Sequence, residues 1–244
     1  MNLLVDIGNT RLKWAMTEAD RLVPGDFLAN SQLSEERLKE LWQSVPPPGR
    51  IAVSCVGAEN TAELVCKAAL ELWPGAKITR IRSQADAFGV TNAYLQPEKL
   101  GADRWLSLIA VRHCYYSMPA CIVDCGTAIT VDLLDDHGRH QGGLICPGLR
   151  LMKQSLAAST AALKFDDARY DPGPANHTEA AIDSGVLTAA IGLIEHVFAA
   201  QPGNSLLILT GGDAERVAGH LAYRVVVDSD LVFRGLAIVL EEAV

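Results

Sequence analysis

A strand that ends in an acid and a tight glycine turn occurs twice in this chain, almost half its length apart. The first copy runs Asn2-Leu-Leu-Val-Asp6-Ile7-Gly8-Asn9-Thr10, and the second runs Ala120-Cys-Ile-Val-Asp124-Cys-Gly126-Thr127. A carboxylate at the end of a buried strand is costly unless it meets a cation or several donors. A glycine beside it lets backbone approach a ligand, and the N–H groups of Gly8, Asn9 and Thr10 can face phosphate oxygens. The second copy is imperfect, because Thr127 follows Gly126 directly. Two α/β halves that each open in this way predict a duplicated fold, with a ligand in the cleft between them.

The surrounding pattern agrees. Residues 2–7 read as a buried strand and 11–16 as its return. Ser34 is a good N-cap for an amphipathic helix through Ser44. A strand at 51–56, a helix at 60–72 and a strand at 76–82 continue the alternation, and a long helix is expected over 97–117, opened by Pro97. The second start has strands at 120–124 and 129–134 and a helix from Pro147-Gly148 to Ala157. The segment 165–177 looks irregular. A helix at 178–200, a strand at 205–210, a helix from Asp213, a strand at 223–227 and a last helix from 230 complete the chain. The division expected is 1–117 and 118–244.

With 244 residues, 49% hydrophobic and 20% charged, the chain can fill a full core. Its net charge of −8 weighs against a nucleic-acid partner, whose phosphates need gathered Lys and Arg. The apolar runs look too short to span a membrane. No signal peptide is expected from the start of the chain, which places it in the cytoplasm. Six cysteines without a CxxC pair then read as free, buried thiols rather than disulfides or a zinc site.

Several residues can carry chemistry. Thr10 adds a hydroxyl and Lys13 a mobile positive charge for the same phosphates. Thr127 and Thr130 repeat the hydroxyl in the second half. Asp103 and Arg104 read either as a surface pair or, facing the cleft, as a base for an attacking alcohol and a clamp for an anionic group. Gly142-Gly143, Pro147-Gly148 and Gly211-Gly212-Asp213 read either as close backbone approaches to a ligand or as strand ends and caps. The six histidines share no ligand spacing, and no Gly-x-x-x-x-Gly-Lys-Ser/Thr loop occurs.

Taken in order, Asp6-Ile-Gly-Asn-Thr10 with Lys13, Gly101-Ala-Asp-Arg104-Trp105, Asp124-Cys-Gly-Thr-Ala128 with Thr130, Gly142-Gly-Leu-Ile-Cys-Pro-Gly148 and Thr210-Gly-Gly-Asp213 resemble the type III pantothenate kinases. The likeness runs from residue 2 to about 240. It implies the acetate kinase/sugar kinase/Hsp70/actin fold, an α/β fold of two ribonuclease H-like halves with ATP between them. It also implies transfer of phosphate from ATP, carried with Mg²⁺, to pantothenate, the first step to coenzyme A. By likeness, Asp6, Ile7, Gly8, Asn9, Thr10, Arg11, Leu12, Lys13 and Thr127 bind ATP. Asp124 takes a monovalent cation, potassium or ammonium. Asp103 is the general base, and Tyr94, Gly101, Ala102, Asp103 and Arg104 surround pantothenate. Thr178 matches a family position that reaches substrate in the neighbouring subunit, which implies a homodimer.

Two other readings keep the same residues. One is a sugar-type kinase or a phosphatase of the same superfamily, which needs several side chains for hydroxyls. The other is a regulator that has kept the nucleotide cleft without catalysis, which has no need for a base at Asp103.

Overall fold

The structure, a computed structural model, describes residues 1–18, 21–115, 118–160, 163, 165–170 and 172–242. The chain divides into two units, residues 1–116 with 230–244, and residues 117–229.

The first unit begins with β1 (Asn2–Ile7), whose return strand β2 (Arg11–Glu18) pairs antiparallel to it. A third strand, β3 (Arg21–Ala29), continues the meander along the outer side of β2. Sequence reasoning did not foresee it, because Pro24 and Gly25 interrupt the strand pattern. An edge strand tolerates a proline. A Cβ on Gly25 would collide with the Trp14 indole, so glycine here lets the ring lie against the strand. Then come α1 (Glu35–Trp42), β4 (Arg50–Cys55), α2 (Glu59–Leu72) and β5 (Lys77–Arg80). Ser34 caps α1 as expected, its hydroxyl accepting the Arg37 N–H at 3.2 Å. The sheet order is β3-β2-β1-β4-β5, with β4 and β5 running parallel to β1.

A small hairpin follows, β6 (Asp86–Ala87) and β7 (Val90–Thr91), turned through Phe88 and Gly89 at φ 54° and 69°. Pro97 opens only a 3₁₀ turn, Pro97–Lys99, and α3 (Ala102–Cys114) starts afresh after Gly101. The long helix expected over 97–117 is therefore shorter, and its expected end at 116 and 117 lies outside the described residues.

The second unit repeats the plan. The strands β8 (Ala120–Cys125), β9 (Ala128–Leu134) and β10 (His140–Pro147) form an antiparallel meander. They lead to α4 (Leu149–Ser159), α5 (Thr178–Ala199), β11 (Leu206–Thr210), α6 (Ala214–Ala218) and β12 (Val225–Val227). The order is β10-β9-β8-β11-β12, with β11 parallel to β8 and β12 parallel to β11. Strand for strand, this is the first sheet again, as the repeated motif foretold. Asp171, in the segment expected to be irregular, lies outside the described residues.

The last helix, α7 (Leu231–Glu242), departs from the expected division. It packs on α3, β1 and β4 of the first unit, so residues 230–244 belong there rather than with 118–229. A Cβ on Gly235 would run into the Leu106 backbone, which shows how closely α7 lies on α3. Each unit has its own core: Leu3, Val5, Ile7, Ile51 and Val53 face α1 and α2 in the first, and Val123, Val131, Leu187 and Leu209 lie in the second. None of the six cysteines forms a disulfide, as expected, but only Cys121 and Cys125 are buried; Cys55, Cys66 and Cys146 are half-buried and Cys114 is exposed. By length and composition α5 could cross a membrane, which the sequence reading did not expect. Here Ala180, Ile182, Val186, Leu187, Ala190 and Ile194 bury its inner face in the second unit.

Candidate functional site

The first unit contributes the turn between β1 and β2. Asp6 stands opposite Lys13 on β2 and Ser54 on β4 in the strand register. Paired residues project from the same face of a sheet, so acid and ammonium share one side. The turn closes by the Gly8 N–H donating to Arg11 O at 3.1 Å, and Asn9 and Thr10 are exposed at its tip. Asn30, just after β3, braces it from outside. Its amide donates to Gly8 O at 2.8 Å, and its backbone N–H donates to Thr10 O at 2.9 Å. Sequence reasoning missed Asn30, because the contact depends on the unforeseen strand β3. Arg11 lies over the Phe27 ring at 5.4 Å. Ile7 and Leu12 have no exposed surface and sit in the core, so only their main chain can take part in binding.

A second cluster in the same unit surrounds the start of α3. Asp103 stands in the first turn, where the positive end of the helix suits a carboxylate. Its Oδ1 accepts the Arg104 N–H at 2.7 Å, and its main-chain oxygen accepts the Ser107 hydroxyl at 2.9 Å. A Cβ on Gly101 would come within 2.6 Å of Asp103 Oδ1, so glycine makes room for that carboxylate. Arg104 is only 6% exposed; it donates to the Tyr94 hydroxyl at 2.7 Å, with its guanidinium over the Tyr94 ring at 5.6 Å. Ala102 is buried and can offer only main chain. Asn92, also missed, accepts the Tyr94 N–H at 3.0 Å and donates to Pro97 O at 3.2 Å, which ties Tyr94 to the turn before α3.

The second unit carries the matching turn. Asp124, next to last in β8, stands opposite Thr130 on β9 and Thr210 on β11. The Gly126 N–H donates to Ala128 O at 3.1 Å, the Gly148 N–H to Thr127 O at 2.9 Å and the Asp213 N–H to Cys125 O at 3.0 Å. Three glycines converge here. Gly211, at φ 94°, leaves no space for a Cβ beside Asp124 Oδ1, and a Cβ on Gly126 would lie 3.2 Å from the same oxygen. A Cβ on Gly148 would collide with Gly126 O. The glycines at 126, 148 and 211 thus let the chain pack closely on itself around Asp124; Gly148 is also the N-cap of α4 and Gly211 follows the end of β11, and Thr127 is exposed among them.

Thr178 is the first residue of α5 and is exposed. It lines an apolar groove of about 620 Å³ between α4 and α5, together with Met152, Leu156, Ile182 and Val186. Among the described residues, no three His, Cys, Asp or Glu side chains gather as a metal site. Mg²⁺ is commonly held by only one or two carboxylates, with phosphate and water supplying the other ligands.

Comparison with known proteins shows the family. Residues 2–200 match the family model for type III pantothenate kinase. Curated relatives named type III pantothenate kinase include one from Nitrosococcus oceani, 37% identical over 97% of this chain and 92% of its own length. Another, from Azoarcus sp. strain BH72, is 38% identical over 98% and 90%. Among solved structures, a protein described as a Baf family transcriptional activator from Campylobacter jejuni matches with TM-score 0.63 at 22% identity, over 99% of this chain and 98% of that one. A protein described as a 2-dehydro-3-deoxygalactonokinase from Sinorhizobium meliloti matches at 0.61 and 15%, over 99% and 96%. At those identities the structural matches speak for the fold alone, which agrees with the α/β fold of two like halves that the resemblance implied. Sequence and family model together go further: this chain belongs to the type III pantothenate kinases.

Proposed function

We propose that the chain's two acid-and-glycine turns hold one ATP while Asp103 accepts the proton of the pantothenate hydroxyl, giving 4′-phosphopantothenate. The family reaction is ATP-dependent phosphorylation of pantothenate, on the way to coenzyme A. The observation that supports these residue roles best is the placement of Asp6 and Asp124. Each is next to last in the first strand of a like-ordered sheet, beside a glycine turn.

In this reading the N–H groups of Gly8, Asn9 and Thr10 and the ammonium of Lys13 face the phosphates from the first unit, and Thr127 adds its hydroxyl from the second. Mg²⁺ carried with ATP neutralises charge that develops on the transferred group. Phosphoryl transfer is loose, so the chain's work is mostly positioning. The acceptor hydroxyl needs a carboxylate only late, as its O–H bond weakens. Tyr94, Gly101 and Arg104 form the wall beside Asp103, with the Arg104 guanidinium opposite the substrate carboxylate. Asp124, crowded by two glycines, offers a carboxylate with backbone oxygens nearby, a hard donor set suited to a monovalent cation such as potassium.

Thr178 reaches the substrate of a second subunit in this reading, and the chain works as a homodimer. The apolar groove that Thr178 lines supports that assignment, since it leaves hydrophobic surface for another chain to cover. Six free cysteines support a reducing, cytoplasmic setting.

The test is ADP release coupled to pantothenate, with product mass measured, in potassium and in sodium. Pantothenate-dependent ADP release that rises in potassium is the expected result. Release with another alcohol but not with pantothenate overturns the substrate assignment, and equal rates in both salts remove the cation from Asp124.

A further inference from the structure

Behind the α4–α5 groove lies a buried charge cluster that the proposed chemistry does not use. Asp183, on α5, has no exposed surface, and Lys153, on α4, is 7% exposed. The Asp183 carboxylate pairs with the Lys153 ammonium and with the Arg216 guanidinium of α6. It also accepts the backbone N–H of Tyr170 at 3.1 Å, and the Tyr170 hydroxyl donates to Asp166 at 2.7 Å. One carboxylate therefore ties α4, α6 and the segment 165–170 to the first turns of α5.

Burial by itself raises the Asp183 pKa. Lys153, Arg216 and the Tyr170 N–H outweigh that effect and hold the carboxyl below its ordinary value. Stability alone does not explain such a cluster, because apolar side chains of similar volume commonly stabilise a core as well as buried ions do. What ions and directed hydrogen bonds add is fixed geometry. The location gives that geometry a use. Met152 and Ile182, the sequence neighbours of Lys153 and Asp183, line the groove together with Thr178, so the ion pair lies just behind its wall.

We infer that Asp183 is a positioning residue for the acceptor side of the reaction: it sets the spacing of α4 and α5 and pins the 165–170 segment, so that Thr178 meets the acid substrate at a fixed place. This inference rests on the pantothenate reading of Thr178 given above. The head of α4 is itself hydrogen-bonded to the second turn, the Gly148 N–H donating to Thr127 O at 2.9 Å, so the ATP KM is read beside the pantothenate KM to separate an effect on the acceptor side from one on the phosphate turn.

The cluster's charge makes a clean test available. Two cations face one carboxylate, so Lys153→Met leaves the neutral Asp183–Arg216 pair and no stranded charge. Asp183→Asn would instead leave two buried cations facing each other. The experiment measures kcat and the KM values for pantothenate and for ATP in wild type and Lys153→Met, with thermal melting as the folding control. The expected result is a pantothenate KM raised about tenfold, with the ATP KM and kcat within about twofold, the pattern of a lost ground-state fit for one substrate. An unchanged pantothenate KM overturns the inference. So does a parallel worsening of both KM values and kcat, which marks a merely structural role. If Lys153→Met does not purify folded, Arg216→Met, which leaves the Lys153–Asp183 pair, is read by the same criteria. A wild type that does not phosphorylate pantothenate overturns the underlying reading instead, so the two failures are distinguishable.

Discussion

At the scale of single residues, the site is built from groups whose neighbours leave them little freedom. Asp103 illustrates this. A glycine at 101 makes room for it, and the Arg104 N–H orients its carboxylate. If it takes the proton of the attacking alcohol, Asp103→Asn lowers kcat by roughly 10² or more, the scale of general-base catalysis. ATP binding, measured by calorimetry, stays within about threefold in that variant because the phosphate turns are untouched. Near-normal turnover would remove Asp103 from the mechanism. Gly211 makes a second case. At φ 94°, with no space for a Cβ beside Asp124, Gly211→Ala is strained twice over. Its expected cost is about 1–3 kcal/mol in stability, with activity lost together with the cation response. An alanine variant with wild-type melting and wild-type activity would show that the close approach is not needed. Asp6 and Asp124 were legible in the sequence, because an acid-glycine turn after a buried run is a local pattern. Asn30 was not, because its contact depends on the pairing of β3 along β2; Asn92 was not, because its bonds to Tyr94 and Pro97 lie in a stretch without helix or strand periodicity.

At the scale of elements, the sequence was readable where the pattern was local and periodic. The strands β1, β4, β8 and β11 and the helices α2 and α5 lie close to where alternation and apolar spacing put them. The strand β3 was hidden by Pro24 and Gly25, which are turn signals in most settings and tolerable here only at a sheet edge. Pro97 looked like a helix start, but Gly101 interrupts the chain and the helix begins after it. An ion network between α1 and α2 gives an element-level expectation. Hydrogen bonds from Lys39 and Lys67 lower the Glu35 pKa to about 2, from an ordinary 4.5. A depressed carboxyl contributes stability that is fully present above its unfolded pKa and is lost as pH falls through the folded value. The wild type should therefore lose melting temperature more steeply than Glu35→Gln between pH 4.5 and about 2. Parallel melting curves in that window would mean that the network contributes nothing, as many exposed pairs do.

At the scale of the whole molecule, the account is one of duplication. Two sheets share an order, each with an antiparallel meander followed by parallel strands, and each begins with an acid-tipped strand. The repeated motif announced this. What it did not announce was that α7, encoded after the second half, packs on the first, a contact formed between segments far apart in sequence. Thiol chemistry gives a simple check of the packing. Burial pushes the Cys121 and Cys125 thiols up to about 12, whereas Cys114 is exposed. A maleimide at neutral pH should label Cys114 first and leave Cys121 and Cys125 unmodified in the folded protein, since thiolate rather than thiol is the nucleophile. Early modification of either buried thiol would contradict the second core. The proposed function requires Gly8–Thr10 and Gly126–Thr127 to bind the same nucleotide. Amide hydrogen exchange reads it directly, with a non-hydrolysable ATP analogue and Mg²⁺ added in steps. The account expects the backbone around Gly8–Thr10 and around Gly126–Thr127 to become protected together, with half-effect at the same nucleotide concentration; protection of one turn alone, or of neither, would contradict it.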